Sequence, residues 1–131
     1  MTQRDLKFLS IVLVLLFVFI VVRNAWVSDD AYITFRSVEN FRAGYGMGYN
    51  VNVRVQAFTH PLWMLLVTAI YYFTRETFYT SVLLSILLTL AAAWILARRV
   101  AATPHLAGVG LLMLVFSRGF NDYSTSGLEN P

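Results

Sequence analysis

The chain contains no cysteine and few charged residues, and both shortages narrow its class. Without cysteine, neither disulfides nor thiolate chemistry is available. Charged residues make up 13% of the 131 residues and hydrophobic residues 58%, whereas a soluble domain is about a quarter charged and half apolar. This composition predicts a membrane protein.

Concentrated positive charge and paired histidines are also missing. The formal net charge is only +3, and no basic stripe with interleaved aromatic residues is present, so nucleic acid is not an expected partner. The two histidines, His60 and His105, are far apart in the chain and make no metal-ligand cluster at the usual spacings.

Long apolar runs are what the chain does have, and they predict an all-α membrane protein. We expect transmembrane helices at residues 8–27, 78–97 and 100–117, an outer loop at 28–77 with juxtamembrane helices, and a second outer loop beginning at 118–131. A cleaved signal peptide is the alternative for the first run, but no good small-residue cleavage site follows it. Because the chain stops on a polar motif, we expect it to be a fragment.

The run from Pro61 to Phe73 leaves the number of spans open between three and four. Its thirteen residues suit an interfacial segment better than a crossing, and three spans place the Arg98-Arg99 turn in the cytoplasm, where short basic loops belong. Three spans also place Glu129 on the outer side with Asp29 and Asp30, whereas four spans separate them.

Asp29 and Asp30 are the first candidates for chemistry. Acids at a helix start act as caps and favour the positive end of the helix dipole, and the residues alone favour that role. The functional alternative is a general base within reach of an acceptor hydroxyl, or a carboxylate pair that holds a divalent cation against a phosphate. Adjacent side chains diverge on a helix, so we expect only one of them to be the base.

Three further parts of the chain could bind substrate or carry charge: the residues around Pro61, Arg36 and Glu129. Pro61 fits the first position of a helix, which places Thr59 and His60 at an N-terminus that attracts anions; the alternative is an interfacial histidine with Trp63 as an aromatic anchor. Arg36 could contact phosphate or be a surface charge. Glu129 lies in a polar loop that leads towards another element.

Taken in order, these motifs resemble a known family. The motifs are Asp29-Asp30-Ala31-Tyr32-Ile33-Thr34-Phe35-Arg36, Asn40-Phe41-Arg42-Ala43-Gly44-Tyr45-Gly46, Phe58-Thr59-His60-Pro61-Leu62-Trp63 and Ser126-Gly127-Leu128-Glu129. The order resembles the N-terminal part of the GT-C membrane glycosyltransferases. The branch it resembles most contains the mycobacterial terminal arabinofuranosyltransferase and a proteobacterial relative called a flagellar motor control protein.

The resemblance implies a polyprenyl-phosphate sugar donor, a glycan or protein acceptor, and transfer on the outer face of the bacterial cytoplasmic membrane. Asp29 matches the family's catalytic Asp, Asp30 the acid that follows it, and Glu129 a second acid after the third span. Some members bind a divalent cation such as Mg²⁺, Mn²⁺ or Ca²⁺, and no other cofactor is implied. Full-length members have many more helices, so we expect this chain alone to be inactive.

Two other classes of function stay open on the sequence. The chain could be a non-catalytic membrane subunit or an assembly or motor-control factor that uses its outer loop for docking. It could also be part of a transporter, although only Pro104-His105 hints at the broken helices that transporters use.

Overall fold

Helices are the regular secondary structure of the described residues, 3–53 and 55–131 of a computed structural model, which confirms the all-α class. Only an isolated backbone bridge between Gly48 and Gln56 has β character there. The helices are α1 (Gln3–Arg23), α2 (Asp29–Arg42), α3 (Pro61–Thr74), α4 (Phe78–Ile95) with a π-helical turn (Leu96–Val100) at its end, α5 (Pro104–Phe116) and α6 (Arg118–Tyr123).

The chain divides into two compact units, and α4 runs through both. The first unit contains the chain up to Ala25, Ile86–Thr125 and Pro131; the second contains Trp26–Ser85 and Ser126–Asn130. The second unit therefore brings the segment after α6 together with α2 and α3, although more than fifty residues separate that segment from α3 in the sequence.

The first unit is a bundle of α1, the later part of α4, and α5. One cluster joins Leu13, Ala93 and Leu111, and a second joins Phe17 and Val21 to Val115, with Ile86 and Leu90 packed against it. Later positions of α1 therefore meet earlier positions of α4 and later positions of α5. It follows that α4 runs antiparallel to the other two helices.

The second unit is built on the packing of α2 against α3. The apolar stripe of α2 includes Ala31, Phe35 and Val38, which are all buried and recur at the spacing of one helical face. Val38 packs in one cluster with Phe58, Trp63, Met64 and Val67. This packing fixes the N-terminus of α3 beside the middle of α2.

Local signals in the sequence explain where the helices of this unit begin and end. Pro61 occupies the first turn of α3, where its missing N–H costs nothing. Arg75 ends α3 in the left-handed conformation with φ 59°. The carboxylate of Glu76 then accepts hydrogen bonds from the backbone N–H groups of Phe78 (2.9 Å) and Tyr79 (2.6 Å), which caps α4.

One helix of the described part of the chain is long and apolar enough to cross a membrane. It is the continuous helical stretch Phe78–Val100, of 23 residues. The apolar stretches Phe8–Arg23, Pro61–Thr74 and Pro104–Phe116 are shorter, so three or four spans are not confirmed. The helical parts stop short of the predicted segments because α1 ends at Arg23 and α5 starts only at Pro104.

We expect Asn40→Asp to destabilise the second unit. The Asn40 amide is buried, and its nitrogen donates to the carbonyl oxygens of Gly48 (2.9 Å) and Tyr49 (2.8 Å). A carboxylate cannot donate, so two acceptors and a buried charge would face each other, at a cost of about 3 kcal/mol. Thermal unfolding in detergent, followed by circular dichroism, measures the loss. Asn50→Asp, at an exposed position of the same loop, is the control and should leave the midpoint unchanged.

Candidate functional site

The start of α2 presents two exposed carboxylates on different sides of the helix. Ser28 is the N-cap residue with an extended backbone, Asp29 and Asp30 form the first turn, and both acids are exposed. Residues four apart share a helix face, so Asp30 lies in line with Thr34. Asp29 lies about 100° further round, on the side away from the buried stripe.

His60 connects α2 to the segment Ser126–Asn130. Its Nε2 lies 2.8 Å from the hydroxyl oxygen of Thr34, and its Nδ1 lies 3.0 Å from Oε2 of Glu129. The side chain of His60 is 11% exposed and that of Glu129 is 53% exposed. The imidazole is therefore held on both sides, while the carboxylate stays open to a ligand.

The backbone of Ser126–Asn130 is fixed by two further donors. The N–H of Ser28 donates to the carbonyl oxygen of Ser126 at 2.8 Å, and the indole N–H of Trp63 donates to that of Gly127 at 2.9 Å. Asn130 adds a bond of 2.7 Å from its amide to the Ser126 hydroxyl. Glu129 is thus held against the same two helix N-termini that carry Asp29, Asp30 and His60.

Gly127 allows this segment to approach α2 closely. Its φ is +81°, and a Cβ at this position would lie 2.7 Å from Cγ1 of Val27 and 2.8 Å from Cβ of Ala31. Real carbon atoms do not pack that closely, and the positive φ itself disfavours a side chain. Only glycine fits here without displacing α2 or the segment.

The other predicted site residues lie apart from this cluster or in the core. Thr59 is exposed, and its hydroxyl lies 3.3 Å from Nδ1 of His60. Trp63 is 4% exposed, so direct contact with a substrate stays a prediction that its burial does not favour. Arg36 faces away from Thr34 on α2 and pairs with Glu39 at 3.6 Å. The structure therefore joins His60 to Glu129 and leaves Arg36 outside.

Sequence reasoning missed Thr34 and the steric role of Gly127. Thr34 is 1% exposed and is one of three buried polar residues of α2, with Ser37 and Asn40, so its polarity alone does not single it out. The role of Gly127 depends on contacts with residues about one hundred positions away, and no local pattern encodes such contacts.

The acids could hold a metal ion only with help from a ligand. In the part of the chain that the structure describes, no group of three or more His, Cys, Asp or Glu residues could hold one. Mg²⁺ is commonly bound by one or two carboxylates together with substrate phosphates. Because Asp29 and Asp30 lie on different sides of α2, a divalent ion held by both of them together with a donor phosphate stays a prediction.

Comparison with known proteins shows a distant relationship to a glycosyltransferase. No protein-family model and no solved structure matches the chain. The chain is similar to a terminal β-(1→2)-arabinofuranosyltransferase of Corynebacterium glutamicum, with 32% identity over 110 residues. The match covers 79% of this chain and 16% of that protein, so the chain spans about a sixth of its relative's length. The two proteins are distantly related.

We expect Gly127→Ala to displace the Ser126–Asn130 segment from α2. The left-handed backbone costs about 1 kcal/mol with a Cβ, and the overlap with Val27 and Ala31 adds about 1–3 kcal/mol. We expect a lower thermal midpoint and faster exchange of the Ser28 and Trp63 indole N–H groups, measured by hydrogen exchange. Gly108→Ala is the control because it adds a Cβ to α5 with no atom within 4 Å. If both variants had the same thermal midpoint and the same exchange rates, the close approach of Gly127 to α2 would be contradicted.

Proposed function

We propose that the chain is the acceptor-activating part of a membrane glycosyltransferase that uses a polyprenyl-phosphate sugar. The observation that carries the proposal is the 3.0 Å contact between His60 and Glu129. It brings the second acid of the resemblance to the unit that contains Asp29 and Asp30. The distant relationship to an arabinofuranosyltransferase points to a glycosyltransferase-related role and suggests arabinofuranose as the donor sugar.

Asp29 is the general base in this proposal. Its carboxylate is exposed at the start of α2, so an acceptor hydroxyl can come within hydrogen-bond distance. As Asp29 takes the proton, the acceptor oxygen attacks the anomeric carbon. The bond from that carbon to the phosphate oxygen breaks with inversion, and the polyprenyl phosphate leaves with the bonding electrons.

Asp30 and Glu129 have supporting roles. Asp30 lies on the Thr34 side of α2, towards the residue that contacts His60. Glu129 presents a half-exposed carboxylate that can accept hydrogen bonds from sugar hydroxyls. The leaving phosphate gains negative charge, which a cation must stabilise. The candidates are a divalent ion, His60 and an arginine such as Arg36.

The contacts of the Ser126–Asn130 segment favour the topology with three spans. Four spans would separate Glu129 from Asp29 and Asp30 by the membrane. The hydrogen bond from Ser28 to Ser126 (2.8 Å) and the contact between His60 and Glu129 (3.0 Å) need both segments on one side. We propose that this is the outer side of the cytoplasmic membrane.

Substitution of the acids tests the chemistry. The test uses membranes from cells that express the full-length protein containing this chain, with polyprenyl-phosphate arabinofuranose as the probe and sugar transfer as the readout. We expect Asp29→Asn to lower kcat about 10²- to 10⁴-fold, because the acceptor loses its base. Asp30→Asn and Glu129→Gln should have smaller effects on kcat.

Glu39→Gln is the matched control, because it removes a carboxylate from the same helix at a position paired with Arg36. It should transfer sugar as the unsubstituted protein does. If Asp29→Asn and Glu129→Gln both kept full turnover, the mechanism would be wrong, and a non-catalytic membrane subunit would explain the chain better.

Cysteine labelling tests the topology without background, because the chain has no cysteine of its own. Asn50→Cys and Ala102→Cys both lie at exposed positions. With three spans, a membrane-impermeant maleimide added to intact cells should label the cysteine at 50 and reach the one at 102 only after permeabilisation. Labelling of both in intact cells would support four spans instead.

A further inference from the structure

Thr34, His60 and Glu129 form a continuous chain of polar contacts. The hydroxyl oxygen of Thr34 lies 2.8 Å from Nε2, and Oε2 of Glu129 lies 3.0 Å from Nδ1. The three residues come from α2, from the N-cap of α3 and from the Ser126–Asn130 segment. Each of the three elements therefore contributes one member.

The chemistry of the three groups fixes where the protons lie. An ionised carboxylate can only accept, so Nδ1 of His60 must carry a hydrogen and donate it to Glu129. In a neutral imidazole Nε2 is then an acceptor, and the Thr34 hydroxyl donates to it. If the imidazole gains a second proton, the same hydroxyl oxygen can accept from Nε2. The Thr34 hydroxyl satisfies the ring in either state.

A hydroxyl, an imidazole and a carboxylate in this order also resemble a nucleophilic triad. The burial of Thr34 argues against that function, since only 1% of the residue is exposed and an attacking oxygen must reach a substrate. The accessible end of the chain of contacts is the opposite one, at the half-exposed Glu129. The contacts therefore hold the acid in place.

We propose that Thr34, acting through His60, is a positioning residue that fixes the plane of the imidazole and thereby the orientation of the Glu129 carboxylate. The carboxylate sets the tautomer, because it accepts from Nδ1–H. The Thr34 hydroxyl holds Nε2 on the buried side at 2.8 Å, so it opposes rotation of the ring away from Glu129. This inference rests on the proposed transferase function only for its catalytic consequence; the orientation of the ring is independent of it.

The tautomer is read from the side-chain nitrogen resonances of the complete chain labelled with ¹⁵N-histidine. In the pH range where the spectra themselves show a neutral ring, we expect His60 to have a protonated Nδ1 and an unprotonated Nε2. Thr34→Val keeps the shape and removes the hydroxyl, so the Nε2 resonance should shift while Nδ1 stays protonated, whereas Glu129→Gln should allow a population protonated at Nε2. His105, the other histidine, is exposed and should not change. A His60 protonated at Nε2 in the unsubstituted chain would overturn the proposal.

Sugar transfer by membranes from cells that express the full-length protein gives the second readout. Thr34→Val should lower kcat about tenfold, in the range found when partners that orient a site residue are removed, with the KM for the donor unchanged. Thr34→Ser restores the hydroxyl and should restore kcat. Thr68→Val is the matched control, because that hydroxyl bonds only within α3, to Met64 at 2.7 Å.

The outcomes separate the two proposals. If the unsubstituted protein transfers sugar and Thr34→Val has full kcat, or Thr34→Ser fails to restore it, the positioning role is refuted and the transferase function stands. If the unsubstituted full-length protein transfers no sugar, the proposed function fails, and the nitrogen spectra alone decide whether Thr34 holds the imidazole of His60.

Discussion

The approach of Gly127 to Val27 and Ala31 is the contact on which the candidate site depends. Glu129 can reach His60 only because the backbone two residues earlier lies against α2, at a distance that leaves no room for a Cβ. The apolar packing of α2 on α3 sets the other side of the site, since it fixes His60 relative to Thr34. Steric exclusion at one residue and hydrophobic burial along two helices thus act together.

Two N–H donors in this unit have partners that local sequence does not reveal. The Ser28 N–H and the Trp63 indole N–H both find acceptors on a segment more than sixty residues further along the chain. A donor buried without an acceptor costs about 1–3 kcal/mol. The segment therefore stabilises α2 and α3 as well as positioning its own carboxylate.

The features that were predictable from the sequence are those encoded within a few residues. The start of α3 at Pro61 follows from the backbone restrictions of proline. The roles of Thr34 and Gly127 were not predictable, because they come from contacts with residues 26 or more positions away in the sequence. The helix α1 ends at Arg23 and α5 begins at Pro104, inside the predicted segments 8–27 and 100–117, because hydropathy does not register where a helix starts or stops.

The hydrogen bonds to Ser126 and Gly127 use main-chain oxygens, which every residue type provides. Leu128, between Gly127 and Glu129, takes part in none of the anchoring contacts described above. In related chains we therefore expect the residue type at position 128 to vary, while the glycine at 127 and the acid at 129 stay the same. Related chains would then share a glycine and a carboxylate that are separated by one variable residue.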